Sequence, residues 1–467
     1  MSGTLMVSVS GVRGIVGTDL TPESVARWAA AFGTWAKDGK GGRRAIVLAR
    51  DARTSGPMFA QATAAGLQSV GCDVIDAGLV STPTAQLAVE HHRAAGGVIL
   101  TASHNPIEWN ALKFIGPDGI FLGPDAGTRV AALAASDGFA RADWSGLGAV
   151  TADEDAIERH LDVVLRLPEV NTRLLRRRRI KVALDCVRGA GGTILPQLLR
   201  SLGCRVSAIN LETDGRFPRA PEPIPEHLDE LSRLVRRSKA DVGMAVDPDV
   251  DRLALVDETG RPIGEDYTLA LAIRAVLGGK RDGGRGKGGG KRVVCNLSTS
   301  LVVADAARDC GAQLVRTPVG EAHVARKMVD LKAPIGGEGN GGVMYPRAHV
   351  GRDAPVGAAL VVALLAREDR TLSELVNAAP RYVIVKAKAP RGAGGGPGLD
   401  AAYKALRARF ADAQADTQDG LRLGWTDRWL HLRPSNTEPI IRFIAEAPTA
   451  EQANALIEEG RRACAAS

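Results

Sequence analysis

Three stretches of the chain repeat one order of apolar and polar positions: a β-branched apolar run, a polar or glycine turn, an amphipathic segment, a glycine, and a second apolar run. The first reads AIVLARDARTSGPMFAQATAAGLQSVGCDVIDAG from Ala45, the second IKVALDCVRGAGGTILPQLLRSLGCRVSAIN from Ile180, and the third KRVVCNLSTSLVVADAARDCGAQLVRTPVG from Lys291. Each pattern predicts a βαβ unit. Gly71, Gly203 and Gly311 stand just past the predicted helix ends, where the chain must turn into the next strand. The repetition predicts three α/β domains of similar architecture. After Pro380 the pattern changes to YVIVKAKAP, a glycine-rich break at 391–398, a helical stretch around 400–410 and strand-like runs at 429–432 and 440–445. That order predicts a small α+β domain. Boundaries near Val150, Thr259 and Thr371 divide the chain into residues 1–150, 151–259, 260–371 and 372–467.

Composition narrows the function classes. The 467 residues carry 60 Lys plus Arg against 53 Asp plus Glu, a net charge of +7. This falls short of the concentrated basic face that nucleic-acid binding usually requires, and the excess suits a small anionic substrate as well as it suits a polyanion. Residues 1–17 lack the charged and apolar regions of a secretory signal. The longest apolar run, 357–366, is about half of a membrane span. A soluble cytoplasmic protein without membrane or nucleic-acid partners is expected, and the sequence sets no oligomeric state. Cys72, Cys186, Cys204, Cys295, Cys310 and Cys464 are scattered singly, without disulfide density or metal-ligand spacing, and are expected as buried thiols. The GGKRDGGRGKGGGKR stretch at 278–292 predicts a flexible surface insertion, and the four arginines at 176–179 a solvated helix C-terminus.

Four short segments carry candidate chemistry. Asp247-Pro248-Asp249-Val250-Asp251-Arg252 lies between two strand-like runs. Three carboxylates on one turn repel one another unless a divalent cation sits between them, and oxygen-only ligation suits Mg²⁺. An EF-hand fails, because its sixth position is Arg252 rather than Gly and the flanks read as strands. A haloacid-dehalogenase-type Asp-x-Asp-x-Thr is weakened by Asp251 at the fifth position. Thr101-Ala102-Ser103-His104-Asn105-Pro106 follows the strand-like GGVIL, so Ser103 stands where α/β sheets expose reacting groups; no Gly-x-Ser-x-Gly elbow surrounds it. Residues 336–342, GGEGNGG, formally contain GxGxxG but no helix follows, so a flexible loop offering the Glu338 carboxylate and the Asn340 amide to ligand hydroxyls is the better reading. Arg433-Pro434-Ser435-Asn436-Thr437-Glu438-Pro439, with Arg442 beyond, gathers the donors a phosphate dianion needs. Gly11-Val12-Arg13-Gly14 places one further Arg between glycines.

In this order, one per expected domain, TASHNP, DPDVDR, GGEGNGG and RPSNTEP resemble the serine, metal, sugar and phosphate loops of the α-D-phosphohexomutase family, over essentially the whole chain. The resemblance implies three similar α/β domains with mixed sheets and a smaller C-terminal α+β domain around a central cleft. It implies a phosphoserine at Ser103, Mg²⁺ held by Asp247, Asp249, Asp251 and an oxygen of that phosphoserine, and a hexose bisphosphate intermediate. Arg13 would offset charge on the moving phosphoryl, Lys113 would act as acid/base and His104 as a supporting group. Arg252, Gly320, Glu338 and Asn340 would hold the phosphosugar, and Arg433, Ser435, Asn436, Thr437 and Arg442 its fixed phosphate. Many members read Glu-x-Ser-Gly-His where this chain has Glu338-Gly339-Asn340-Gly341-Gly342, and Glu321 follows Gly320 where phosphomannomutase/phosphoglucomutase enzymes often have His. The TPVGE, EWNALKF and GRDA segments look most like the branch labelled phosphoglucosamine mutase. That branch interconverts glucosamine 6- and 1-phosphates; phosphomannomutase/phosphoglucomutase activity is the alternative. A phosphatase, or a sensor binding sugar phosphates without catalysis, would use the same loops.

Overall fold

The computed structural model describes residues 5–8, 11–39, 44–278, 290–390, 399–434 and 440–465. Most of the 278–292 insertion, the 391–398 break and the segment 435–439, with Ser435, Asn436 and Thr437, lie outside the described residues.

All three expected βαβ units are present. Strand Ala45–Arg50, helix Gly56–Gln68 and strand Asp73–Leu79 form the first; Lys181–Asp185, Gly191–Ser201 and Arg205–Ile209 the second; Arg292–Asn296, Leu301–Asp309 and Gln313–Thr317 the third. In each the two strands pair in parallel. Gly71, Gly203 and Gly311 have φ of 78°, 87° and 71°. This left-handed backbone is what a glycine past a helix end adopts without steric cost.

Among the described residues the first sheet runs Met6–Ser8, Gly11–Ile15, Trp109–Ile115, Gly96–Leu100, Ala45–Arg50, Asp73–Leu79, Val150–Ala152. The second runs Leu253–Asp257, Val242–Val246, Lys181–Asp185, Arg205–Ile209, and the third Gln313–Thr317, Arg292–Asn296, Ile335–Glu338, Gly342–Tyr345, His349–Arg352. Each mixes parallel and antiparallel pairs. The fourth, Val383–Pro390, Ile440–Ala447, Trp429–Pro434, Leu421–Gly424, Gln414–Asp416, is antiparallel throughout. Helices Leu399–Arg409 and Ala450–Ala465 pack on it. Three α/β domains and a C-terminal α+β domain are therefore the architecture. The edge strand Val150–Ala152 belongs to the first sheet, and Leu372, Leu375 and Val376 pack in the core shared by the second and third domains.

Strand alternation explains the first core. Ile46 and Leu48 face one helical layer while Val47 and Ala49 face the other. Fully buried Ile46, Val47 and Leu48 each contribute about 1.5–3 kcal/mol. The apolar run at 357–366 lies in helix Ala354–Glu368, buried from Ala354 to Ala366 within the core common to the second and third domains. Among the described residues no helix is long and apolar enough to cross a membrane. The arginine run ends helix Thr172–Arg178 as expected, but Arg178 also pairs with Asp369 at 2.6 Å. The six cysteines are free; Cys310 and Cys464 are half-buried rather than buried.

Three domains meet at a buried polar junction. Asp353 Oδ2 lies 2.9 Å from His160 Nε2 and 3.0 Å from His349 Nε2, and His160 Nδ1 is 2.8 Å from Thr84 Oγ1. Thr84 lies in the first turn of the helix Thr82–His91, whose first residue, Thr82, donates to Asp249. The junction thus ties the first, second and third domains together beside the aspartate turn.

Candidate active site

Strand Gly96–Leu100 is buried throughout and delivers Ser103 beyond its carboxyl end. Ser103 adopts φ 48°, a left-handed conformation in which both its amide and its carbonyl are hydrogen-bonded. Its amide donates to Thr101 Oγ1 at 2.9 Å, and that hydroxyl donates to Asp51 Oδ2 at 2.7 Å. Arg53 clamps the rest of the loop. Its Nη2 donates to the carbonyls of Ser103 and Asn105, each at 2.7 Å, and its Nη1 to those of Pro106 (2.7 Å) and Trp109 (2.8 Å). Neither Asp51 nor Arg53 emerges from the motif reading, although Asp51-Ala52-Arg53 directly follows the first βαβ strand, where such sheets expose functional groups.

Antiparallel strands Val242–Val246 and Leu253–Asp257 bring the aspartate turn back on itself, with Val250 at φ 64°. Asp247, Asp249 and Asp251 are all fully buried, with one carboxylate oxygen of each within 4.8 Å of the others. Ser103 Oγ donates to Asp247 Oδ2 at 2.7 Å across 144 positions of sequence. Asp247 Oδ1 accepts the amides of Asp251 and Arg252, both at 3.2 Å. Asp249 Oδ2 accepts from Lys113 Nζ at 2.7 Å and Thr82 Oγ1 at 2.8 Å. Asp249 Oδ1 and Asp251 Oδ1 are buried without any hydrogen-bond donor. An oxygen-only set with two such orphaned atoms fits a divalent cation of the Mg²⁺ type, because a buried carboxylate oxygen left unpaired is otherwise costly. Burial, and then the charges of Asp249 and Asp251, push the Asp247 carboxyl well above the usual range. Asp249 moves the other way: burial opposes ionisation, but the Lys113 ammonium and the hydrogen bonds around it hold it below that range.

Arg13, on strand Gly11–Ile15, donates to Asn105 Oδ1 at 2.6 Å and so joins the serine loop. His104 Nδ1 lies 3.4 Å from Ser103 Oγ, and the Arg252 charge together with burial drives its pKa down to about 2, leaving a neutral imidazole. Arg252 Nη1 donates to Glu222 Oε1 at 2.8 Å, a carboxylate with no motif to announce it.

The glycine-rich segment differs from its expectation. Gly336, Gly337 and Glu338 end one strand and Gly342 starts the next, so residues 339–341 alone form a tight turn. Hairpin pairing fixes what the glycines alone suggested was a flexible loop. Glu338 Oε1 accepts from Asn296 Nδ2 at 2.8 Å and the Gly320 amide at 3.2 Å. The Asn340 amide oxygen accepts the Gly342 N–H at 3.2 Å, within its own turn.

In the fourth domain Arg433 lies 3.1 Å from Asp419, whose Oδ2 also accepts the Val319 amide at 3.1 Å, next to Gly320. Strand register sets Arg433 opposite Arg442, and Arg442 opposite Lys388. Directly opposed residues project to one face, so three cationic residues form a row. Lys388 enters it through pairing alone, which no local motif reveals.

Four family models cover the chain in order: phosphoglucomutase/phosphomannomutase alpha/beta/alpha domain I over residues 5–141, domain II over 158–260, domain III over 264–382, and the C-terminal domain over 385–463. The chain belongs to the phosphoglucomutase/phosphomannomutase family. It is 39% identical over 457 residues to a phosphoglucomutase/phosphomannomutase of Thermococcus kodakarensis, covering 96% of each chain. It is 37% identical over 451 residues to a protein of Methanopyrus kandleri named "Probable phosphoglucosamine mutase", covering 96% of this chain and 95% of that one. A crystal structure of a phosphoglucomutase/phosphomannomutase family protein from Burkholderia thailandensis superposes with a TM-score of 0.85 at 26% identity, covering 100% of this chain and 98% of the other. This family of phosphohexomutases, a class of isomerases, is the one the four motifs resemble.

Proposed function

We propose that the protein moves a phosphoryl group between the 6- and 1-positions of glucosamine phosphate, using Ser103 as the relay. The observation that carries this reading is the 2.7 Å contact of Ser103 Oγ with Asp247, inside a buried carboxylate trio. In the first transfer the free hydroxyl oxygen of a hexose phosphate bonds to phosphorus as the phosphorus–Oγ bond of phospho-Ser103 breaks. The hydroxyl proton passes to a base of the site and the serine oxygen regains one. The bisphosphate then turns end over end and returns its other phosphoryl to Ser103.

Lys113 takes the acid/base role, with His104 supporting Ser103 as a neutral acceptor 3.4 Å away. Arg13, tied to Asn105, offsets charge on the phosphoryl. A Mg²⁺ ion held by Asp247, Asp249, Asp251 and the serine phosphate would supply further positive charge there. Glu338, Gly320, Asn340 and Arg252 face the sugar; Arg433, Arg442 and, in the segment beyond Pro434, Ser435, Asn436 and Thr437 hold the phosphate that stays. The 39% identity to a phosphoglucomutase/phosphomannomutase favours a second reading with glucose and mannose phosphates as substrates.

A coupled assay comparing glucosamine, mannose and glucose 1-phosphates tests both. Preferred turnover of the glucosamine compound is expected. Release of inorganic phosphate without isomer formation would identify a phosphatase instead. Intact mass should show one added phosphate that disappears in Ser103→Ala; a chain never phosphorylated would point to a sensor.

A further inference from the structure

Arg352 closes strand His349–Arg352 and is almost fully buried, yet its guanidinium meets three carboxylates from different parts of the chain. Nη2 donates to Asp251 Oδ2 at 2.5 Å, Nε to Glu321 Oε2 at 3.1 Å and Nη1 to Glu338 Oε2 at 3.1 Å. The Arg352 amide also donates to Glu321 Oε1 at 3.2 Å. One planar cation therefore spans the aspartate turn and the carboxylate assigned to the sugar, a geometry that a lysine point charge cannot reproduce.

The neighbouring strand makes room for it. A Cβ on Gly342 would stand 2.3 Å from Arg352 Cδ and 2.8 Å from Cγ. The backbone of Gly342 does not itself demand glycine, since it is not among the positive-φ glycines. Its lack of a side chain is a matter of space. A methyl group there would push the arginine stem sideways, and the guanidinium, pinned by three carboxylates, could not stay in register with all of them.

We propose that Arg352, seated by Gly342, is a positioning residue that shares Asp251 with the metal and holds Glu338 for the sugar. The proposal rests on the reading of the site as a Mg²⁺-dependent phosphohexomutase. Two effects of opposite sign follow. Beside Asp251 the guanidinium acts as a resident counter-charge, so removing it leaves the trio more negative and tightens Mg²⁺. Beside Glu338 it fixes the carboxylate, so removing it weakens the hold on the sugar. A residue that only stabilised the fold would weaken both on removal.

The test measures Mg²⁺ affinity by calorimetry, with the metal alone, and KM for glucosamine 1-phosphate, in full-length wild type, Arg352→Met, Arg352→Lys and Gly342→Ala. Arg352→Met is expected to bind Mg²⁺ about tenfold more tightly and to raise KM about tenfold, with kcat falling less. Arg352→Lys should lie between it and wild type. Gly342→Ala removes no charge, yet should shift both quantities in the same directions, and serves if Arg352→Met does not fold. Mg²⁺ affinity and KM that both stay put, a KM shift without a Mg²⁺ shift, or weakening of both together overturns the proposal. A wild-type protein that interconverts no hexose phosphate defeats the functional reading, while the Mg²⁺ titration still decides the coupling at Asp251.

Discussion

Arg53 Nη2 and the carbonyl oxygen of Ser103 are 2.7 Å apart, so the backbone of the candidate nucleophile is held by a side chain fifty residues earlier. The same guanidinium serves three other carbonyls and lies 3.2 Å from Asp51, with both side chains wholly buried. Arg53→Met should therefore strand four acceptors and a buried carboxylate. A loss of about 3–5 kcal/mol is expected in denaturant unfolding, with loss of phosphate on Ser103 by intact mass. Unchanged stability together with normal phosphorylation would show that the loop holds itself.

Asp249→Asn keeps an oxygen for the Thr82 hydroxyl but removes a charge from the trio. Mg²⁺ affinity by calorimetry should fall at least tenfold while far-ultraviolet circular dichroism stays unchanged, a shift of about 1.4 kcal/mol or more. Wild-type affinity would move the cation elsewhere.

Arg433→Ala removes one member of the Arg433–Arg442–Lys388 row and its pairing with Asp419. A charge-assisted contact to phosphate is worth about 1.5–3 kcal/mol, so KM should rise by at least an order of magnitude. Lys388→Ala, at the far end of the row, should act in the same direction and less strongly. A KM that does not move in either variant would place the fixed phosphate elsewhere.

His431 gives the domain interface a dependence on pH. Its Nε2 faces the Asp419 carbonyl at 2.7 Å and its Nδ1 the Ser298 hydroxyl at 3.0 Å. Burial, against the pull of the Asp419 carbonyl, lowers its pKa from 6.5 to about 4. The unfolded chain thus takes up a proton at a pH where the folded chain does not. The stability is fully present above pH 6.5 and is lost as pH falls toward 4, by up to about 3 kcal/mol. Chemical denaturation across that window should show the slope in wild type and a flatter profile in His431→Gln. Equal slopes would assign it to other groups.

The fourth domain docks through more than His431. Glu446 accepts the hydroxyl of Ser300, the amide of Leu301 at 2.8 Å and the Trp429 indole N–H at 2.6 Å, so one buried carboxylate caps a helix of the third domain. Nothing around Glu446 in the sequence announces this. Ser300 and Leu301 lie about 145 positions away and are brought to it by the packing of one domain on another, whereas Trp429 stands opposite it in the same sheet.

What the sequence determined by itself is local and repetitive. Strand alternation, helical period and the glycines past three helix ends follow from backbone sterics and the burial of one face, so the three βαβ units are legible from their own residues. The acidic turn is legible for the same reason, since three carboxylates that close in sequence cannot be far apart in space. The short strands Gln414–Asp416 and Leu421–Gly424 and the helix Ala450–Ala465 escaped the pattern reading. Tertiary structure alone decided which distant groups share a charge. It placed Arg53 and Asp51 beneath Ser103, Arg352 between Asp251, Glu321 and Glu338, and Lys388 in line with Arg442. Asp51, Arg53 and Arg352 are ordinary charged residues in their own segments and become specific where burial removes water and leaves groups from another part of the chain as partners, while Lys388 stays exposed and enters its row through strand register alone.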